Sequence, residues 1–309
     1  MEKTVSSNLP PLPDAQAWRT ERGVIDLDWV GMQGIALPLE LAGRPLAAQI
    51  NASINLRGSR DGARGIHMSR LYAALDGLTQ GELTPRRIIT TLNDFLHSQP
   101  AHSDRAQLTI SGDLLLSRPA LVSAQRGWKS YPLCIEAQLA TVPRLTLKVG
   151  VAYSSTCPSS AALSRQAAQQ QFLVDFDAES TSLSRQRVAE WLGLHGMPAT
   201  PHSQRSWAWV TVELSPDEQT VPVMTLIERI EHALGTPVQT LVKRLDEQAF
   251  ALVNGQNLMF CEDAARRLYN ALQASCRYRA GQVVVEHQES LHAHNAVAQL
   301  SWQEDDDVA

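Results

Sequence analysis

Apolar periodicity constrains this chain more than any other feature. Runs that alternate with period two flank pairs of runs with helical spacing, and that order occurs twice. Residues 49–56 and 107–115 place apolar side chains at every second position, as half-buried strands do, whereas 68–78 and 87–96 carry them at helical spacing. From residue 145 the order recurs: strand-like 145–153 and 207–214, helix-like 223–234 and 263–272, then strand-like 282–285 and 296–302. The pattern predicts an α+β chain with an internal duplication of architecture, although no sequence repeat accompanies it. It divides the chain into a flexible segment over residues 1–16, units over 17–142 and 143–303, and an acidic tail over 304–309. Pro10, Pro11 and Pro13 mark the loose start, and Glu304, Asp305, Asp306 and Asp307 the loose end.

One segment interrupts the second unit. Residues 160–176 and 184–194 are helix-like and rich in Gln, Ala, Ser and Arg, so a helical insertion is expected at about 160–200. Its plainer reading is a surface subdomain covering a sheet edge; its sharper one is a device that sets the approach to residues around Cys157 and His202.

At 309 residues and 44% apolar composition the chain can bury a core. A net charge of −5 supplies no global basic field, so neither nucleic acid nor an anionic membrane surface is an expected partner, and an anionic substrate needs a local cluster. The longest apolar stretches, such as 145–153, fall far short of the roughly 20 residues of a membrane helix, and the N-terminus lacks a signal-peptide core. A cytoplasmic location is the expectation. Cys134, Cys157, Cys261 and Cys276 form no CxxC pair, which argues against a disulfide framework and a zinc knuckle. Cys134 and Cys276 read as small buried hydrophobes.

Four places carry residue types suited to metal or acid–base chemistry. Cys157 ends an alternating run, where Pro158 stops the ladder and the serines after it can cap a helix, so its thiol is aimed at a loop as ligand or nucleophile. His202 precedes the strand-like run 207–214 among groups able to orient an imidazole, or is simply a capped loop histidine. Asp246 and Glu247 follow Lys243 and Arg244 after a helix-like run, a pattern that is also that of a solvated helix end. His292 and His294 lie before the final strand-like run. A Cys, one or two His and a Glu make a mixed soft and hard donor set with room for water or substrate. His67, where a loop with Arg57, Arg60 and Arg64 enters the helix that carries Arg70, can hold phosphate or form a solvated turn. His195, His232 and His287 have nothing beside them and read as surface residues.

Six motifs resemble, in order, the type IB GTP cyclohydrolases. They are Trp29 to Pro38 (WVGMQGIALP), Gly65-Ile66-His67-Met68-Ser69-Arg70, Ser155-Thr156-Cys157-Pro158, His202-Ser203-Gln204-Arg205-Ser206, Lys243-Arg244-Leu245-Asp246-Glu247 and Glu289-Ser290-Leu291-His292. The resemblance implies tandem tunnelling-fold units, antiparallel sheets each carrying a helix pair, in subunits that assemble into a homo-oligomer, a homotetramer. It implies conversion of GTP and water to 7,8-dihydroneopterin triphosphate and formate, the first step of tetrahydrofolate biosynthesis. It further implies one divalent metal per site, zinc, manganese or iron, held by Cys157, His202, Glu247 and His292, with Cys157 and His202 also catalytic. Glu262 matches the carboxylate that anchors the purine ring, and His67 and Arg70 are expected to meet the triphosphate.

The chain departs from the family in two places. The usual Cys-Pro-Cys reads Cys157-Pro158-Ser159, and residues 158–201 replace a much shorter interval before the His-Asn-Gln-Arg motif, whose Asn is Ser203. These departures sustain an alternative, a paralogue of the same fold that acts on or only binds another purine or pterin.

Overall fold

The computed structural model describes residues 25–61, 64–99, 103–176, 182–274 and 277–303. Residues 1–16, expected to be flexible, the acidic tail and Cys276 lie outside them, as does the side chain of Arg60. Among the described residues, eight strands form one antiparallel sheet whose order follows the chain: β1 (Leu27–Leu41), β2 (Arg44–Leu56), β3 (Ala106–Pro119), β4 (Arg126–Leu139), β5 (Pro143–Thr156), β6 (Ser203–Leu214), β7 (Ala280–His287) and β8 (Ala296–Gln303). Between β2 and β3 run α1 (Gly58–Asp61), α2 (Met68–Asp76) and α3 (Pro85–Ser98). Between β5 and β6 run α4 (Pro158–Asp175) and α5 (Arg185–His195), and between β6 and β7 run α6 (Val223–Leu234), α7 (Arg244–Gln256) and α8 (Cys261–Gln273). The chain is therefore α+β, with antiparallel strands, helix pairs and an inserted helical excursion.

Two compact units are distinguishable. One comprises the chain up to Ile110 with Glu136–Leu145 and Ser215–Thr220; the other comprises Ser111–Ile135, Thr146–Leu214 and the chain from Val221 onward. In the first, β1 and β2 meet in a two-residue hairpin at Ala42 and Gly43, whose φ values of 53° and 66° give the turn twist that matches paired strands. Both turn amides donate to the Glu82 carboxylate, at 2.7 and 3.0 Å, which holds Ala42 where a side chain is disfavoured. Thr84 caps α3 by accepting from the Arg87 amide, and Pro85 fills the first helical position. Ile88, Thr91, Leu92 and Phe95 then form the buried stripe of α3.

In the second unit, α6 buries Val223, Leu226, Ile227, Ile230 and Leu234, and α8 buries Cys261, Ala264, Ala265, Leu268 and Leu272. Gly235, with a φ of 75°, ends α6 in the left-handed conformation that favours glycine. The excursion is built differently: α4 buries only Ala161 and α5 only Trp191. Phe172, Phe176 and Trp191 pack on one another, Phe172 meeting Trp191 edge-on at 5.1 Å, and the Trp191 indole donates to Asp175. The sheet edges are β1 and β8, whereas this excursion joins β5 to β6 inside the sheet. Cys134, expected to be buried, is half-buried: Tyr131, Leu133, Ile135 and Ala137 are the buried positions of β4, and Cys134 alternates to the other face.

Candidate functional site

The end of β5 and the start of β6 bring Cys157 and His202 together. Thr156 closes β5, Pro158 occupies the first position of α4, and Cys157 stands between them with an extended backbone and no side-chain cap bond. Its amide donates to the His202 carbonyl at 3.3 Å, and the His202 amide donates to Ser160 Oγ at 3.1 Å. Residues separated by the whole α4–α5 excursion are thus backbone neighbours.

The His202 ring is oriented by a buried chain of hydrogen bonds. Its Nδ1 lies 3.0 Å from Oε1 of Gln204, whose Nε2 donates to Ser155 Oγ at 2.9 Å; Ser155 in turn pairs with Ser206 Oγ at 2.8 Å. An amide oxygen only accepts, so the imidazole proton belongs on Nδ1 and the Nε2 lone pair is left to bind. Glu289 sets a carboxylate oxygen 3.5 Å from the same Nδ1, and neither side chain is more than 16% exposed. Its negative charge makes the imidazole a stronger donor. Glu289 opens the motif that ends in His292, and its position there was the available signal for it.

The other two proposed ligands are placed less tightly. Lys243 to Glu247 open α7 rather than closing a preceding helix, which corrects the solvated-helix-end expectation. Asp246 is fully buried: it accepts from the Val122 and Ser123 amides, from Ser123 Oγ and from the Lys243 amide, at 2.6 to 2.9 Å. The Ser123 hydroxyl and these amides hold its carboxyl well below the usual carboxylate range. That anchorage fixes the first turn of α7 and leaves Glu247, the next residue, exposed. His292 is also exposed, its ring stacked 5.1 Å from that of His294. Among the described residues, no three His, Cys, Asp or Glu side chains are grouped to hold a metal. The chemistry of Cys157 and His202 fits a divalent ion, with a half-buried thiol and an imidazole whose proton is held on Nδ1 at adjoining backbone positions. Glu247 and His292 supply suitable donors on exposed stretches of chain.

Glu262 lies exposed in the first turn of α8, where bonding to its own backbone amide, and then to the Cys261 thiol, keeps its carboxyl below the ordinary range. Cys261 Sγ donates to it at 3.3 Å, and burial pushes that thiol up to about 11. Asp263 instead accepts from the Phe260 amide and caps the helix. The Met259 amide donates to the Thr156 carbonyl, which ties this segment to the residue before Cys157. His287, expected at the surface, is only 3% exposed and shares a 2.8 Å hydrogen bond with the equally buried Tyr153 hydroxyl. Its place on the inward register of β7 is the reason. His195 is exposed as expected, but it lies beside the Trp191 ring.

In the first unit, His67 caps α2 through its backbone, its amide donating to Gln99 Oε1 and its carbonyl accepting from Gln99 Nε2. Arg70 is exposed and donates to the Ser98 carbonyl at 2.7 Å, while Arg57 pairs with Asp104.

Comparison with known proteins agrees with the family resemblance. Residues 12–298 match the family described as type I GTP cyclohydrolase folE2. GTP cyclohydrolase FolE2 of Serratia proteamaculans is 69% identical over 304 residues, covering 98% of each chain. The protein of the same name from Klebsiella pneumoniae is 55% identical and covers 94% of this chain and 97% of its own length. Among solved structures, uricase from Arthrobacter globiformis aligns with 93% of this chain and 97% of its own at 8% identity and a TM-score of 0.48, a likeness too slight to build on. With a family match over nearly its whole length and relatives this similar, the chain belongs to the type I GTP cyclohydrolase FolE2 family.

Proposed function

We propose that this protein, with one divalent metal at each site, converts GTP and water to 7,8-dihydroneopterin triphosphate and formate, at the head of tetrahydrofolate synthesis in the cytoplasm. A tunnelling fold and a homotetramer belong to the same reading. The observation that carries it is the joining of Cys157 and His202, on either side of a long excursion, in a chain of the GTP cyclohydrolase family. Cys157, His202, Glu247 and His292 would hold the ion. Zinc, manganese and iron all suit this donor set. A divalent ion held there would lower the pKa of bound water toward neutrality, the chemistry that hydrolytic opening of the imidazole ring requires.

The remaining work falls to the protein's own groups. Gln204 keeps the His202 proton on Nδ1 so that Nε2 is the donor atom. Glu262, exposed and charged, accepts from the guanine N1–H and 2-amino group, which adenine cannot offer in that arrangement. His67 and Arg70 are assigned to the triphosphate on charge and motif.

The deciding experiment incubates metal-reconstituted protein with GTP and follows formate and the reduced pterin. Release of both is expected; GTP retained unchanged would favour a paralogue that binds another purine or pterin. For the base-reading role, Glu262→Gln is expected to raise KM for GTP at least tenfold while metal content stays unchanged, since a hydrogen bond to a charged group contributes about 1.5–3 kcal/mol. Unchanged kinetics would move the role to another carboxylate.

A further inference from the structure

The sequence motifs leave Tyr153 and His287 without a task, yet the fold buries both polar groups next to the segment that carries Glu262. Tyr153 is fully buried on β5 and His287 nearly so at the end of β7, with their rings edge to face at 5.8 Å. α8 packs on β7, and the segment leading into α8 is tied to β5 at Thr156. A buried hydroxyl must place its proton on an acceptor, and the partner found for Tyr153 is Nε2 of His287 at 2.8 Å. The proton of a neutral His287 ring then sits on Nδ1.

That second nitrogen has no hydrogen-bond partner among the described residues. Nor is it one of the enclosed side-chain atoms lacking a partner, which among the described residues are Arg118 Nη2 and Asn254 Oδ1. Nδ1 is therefore not wholly enclosed, although the residue is only 3% exposed. Burial lowers the ring to about 4, against an opposing pull from the Glu262 charge, so it is neutral at physiological pH and within electrostatic reach of that carboxylate.

A neutral N–H donor near a carboxylate matches one purine edge. Guanine offers O6 as acceptor beside N1–H and the 2-amino group as donors, whereas adenine presents an amine where O6 would be and an acceptor at N1. We propose that His287 is a specificity-determining residue whose Nδ1–H, fixed by Tyr153, donates to O6 of guanine while Glu262 accepts from N1–H and the 2-amino group. This inference rests on the proposed function, because it takes Glu262 as the purine anchor.

The test compares GTP with 6-thio-GTP, in which a weak sulfur acceptor replaces O6, by direct binding to metal-loaded protein and by kcat/KM. Wild type is expected to prefer GTP about tenfold, the effect of one hydrogen bond. His287→Leu should bring that ratio close to one by weakening GTP binding alone, and His287→Gln, which keeps an amide donor, should restore part of it. If the leucine variant does not fold, Tyr153→Phe removes the lock on the His287 proton and should reduce the ratio severalfold. A tenfold preference that survives in His287→Leu, or in Tyr153→Phe when the leucine variant does not fold, would overturn the role of His287 and leave the cyclohydrolase reading intact. Protein that binds GTP but releases no formate would overturn the reaction alone, and failure to bind either nucleotide would overturn both.

Discussion

His202 and His292 offer the same imidazole, yet the chain prepares them in opposite ways. His202 is held by strand-end backbone bonds and by the Gln204–Ser155–Ser206 chain beneath it. His292 stands on the exposed stretch between β7 and β8, its ring stacked on that of His294. The contrast separates ligands whose rotamer entropy is lost on folding from His292, and from the exposed Glu247 side chain on its fixed helical turn, whose side chains are ordered only when the ion binds. Affinity is therefore expected to depend on the former for geometry and on the latter for completion.

The strongest challenge to this division is removal of the donors. Cys157→Ala or His202→Ala is expected to lose most bound metal and more than about a hundredfold in turnover, exceeding the roughly 10–100-fold effect of a supporting residue. Glu247→Ala and His292→Ala should do likewise if the exposed half completes the site. Metal analysis of folded protein checks each, and normal metal content and activity in Cys157→Ala would sink the assignment.

A second measurement concerns His287, which lies where β7 leads into the His292 stretch. Burial lowers its folded value to about 4, below the ordinary 6.5, so the unfolded chain binds the proton more readily between those values. Stability should fall as pH drops from about 6.5 toward 4, by up to about 3 kcal/mol. Thermal melts across that range should show a distinctly smaller fall in His287→Phe; equal slopes in the two proteins would show that this ring contributes nothing to the pH dependence.

Smaller still, Gln204→Leu should weaken metal binding about 10–100-fold by releasing the His202 tautomer, with little change in melting temperature. Competition with a chelator reads this directly, and unchanged affinity would mean that the backbone alone orients His202. The least effect is expected at Ser159, an exposed residue of α4 next to Pro158. Ser159→Cys should leave metal content and turnover within a few fold under reducing conditions, and ease oxidation through nearby Cys157. A large gain in turnover would count against this chain as a competent enzyme in its present form.

Much of the architecture was legible because it is written in local periodicity. The run at 223–234 is α6 residue for residue, and Cys157 and His202 stand at the strand ends where their motifs pointed. What failed to show locally was set by distant partners. Asp246 reads as a solvated charge until Val122 and Ser123, far back in the sequence, donate to it. His287 reads as a surface residue until the pairing of Ser206 with His287 fixes the β7 register and turns its ring toward Tyr153. The motif ending in His292 marks Glu289, but its meeting with His202 has the same long-range origin, since it joins segments far apart in the sequence.

The α4–α5 excursion leaves and re-enters the sheet through a narrow neck, where Cys157 bonds to His202 and His202 to Ser160. Closing a longer loop at such a neck adds only about 0.6 kcal/mol per doubling of its length. Evolution can thus lengthen, trim or redecorate the excursion, with its private aromatic cluster of Phe172, Phe176 and Trp191, while the strands below remain undisturbed. The neck also sets the limit of that tolerance: its two stitches lie on proposed ligands, so any remodelling that pulls the neck open would be felt first as lost metal and only later as lost fold.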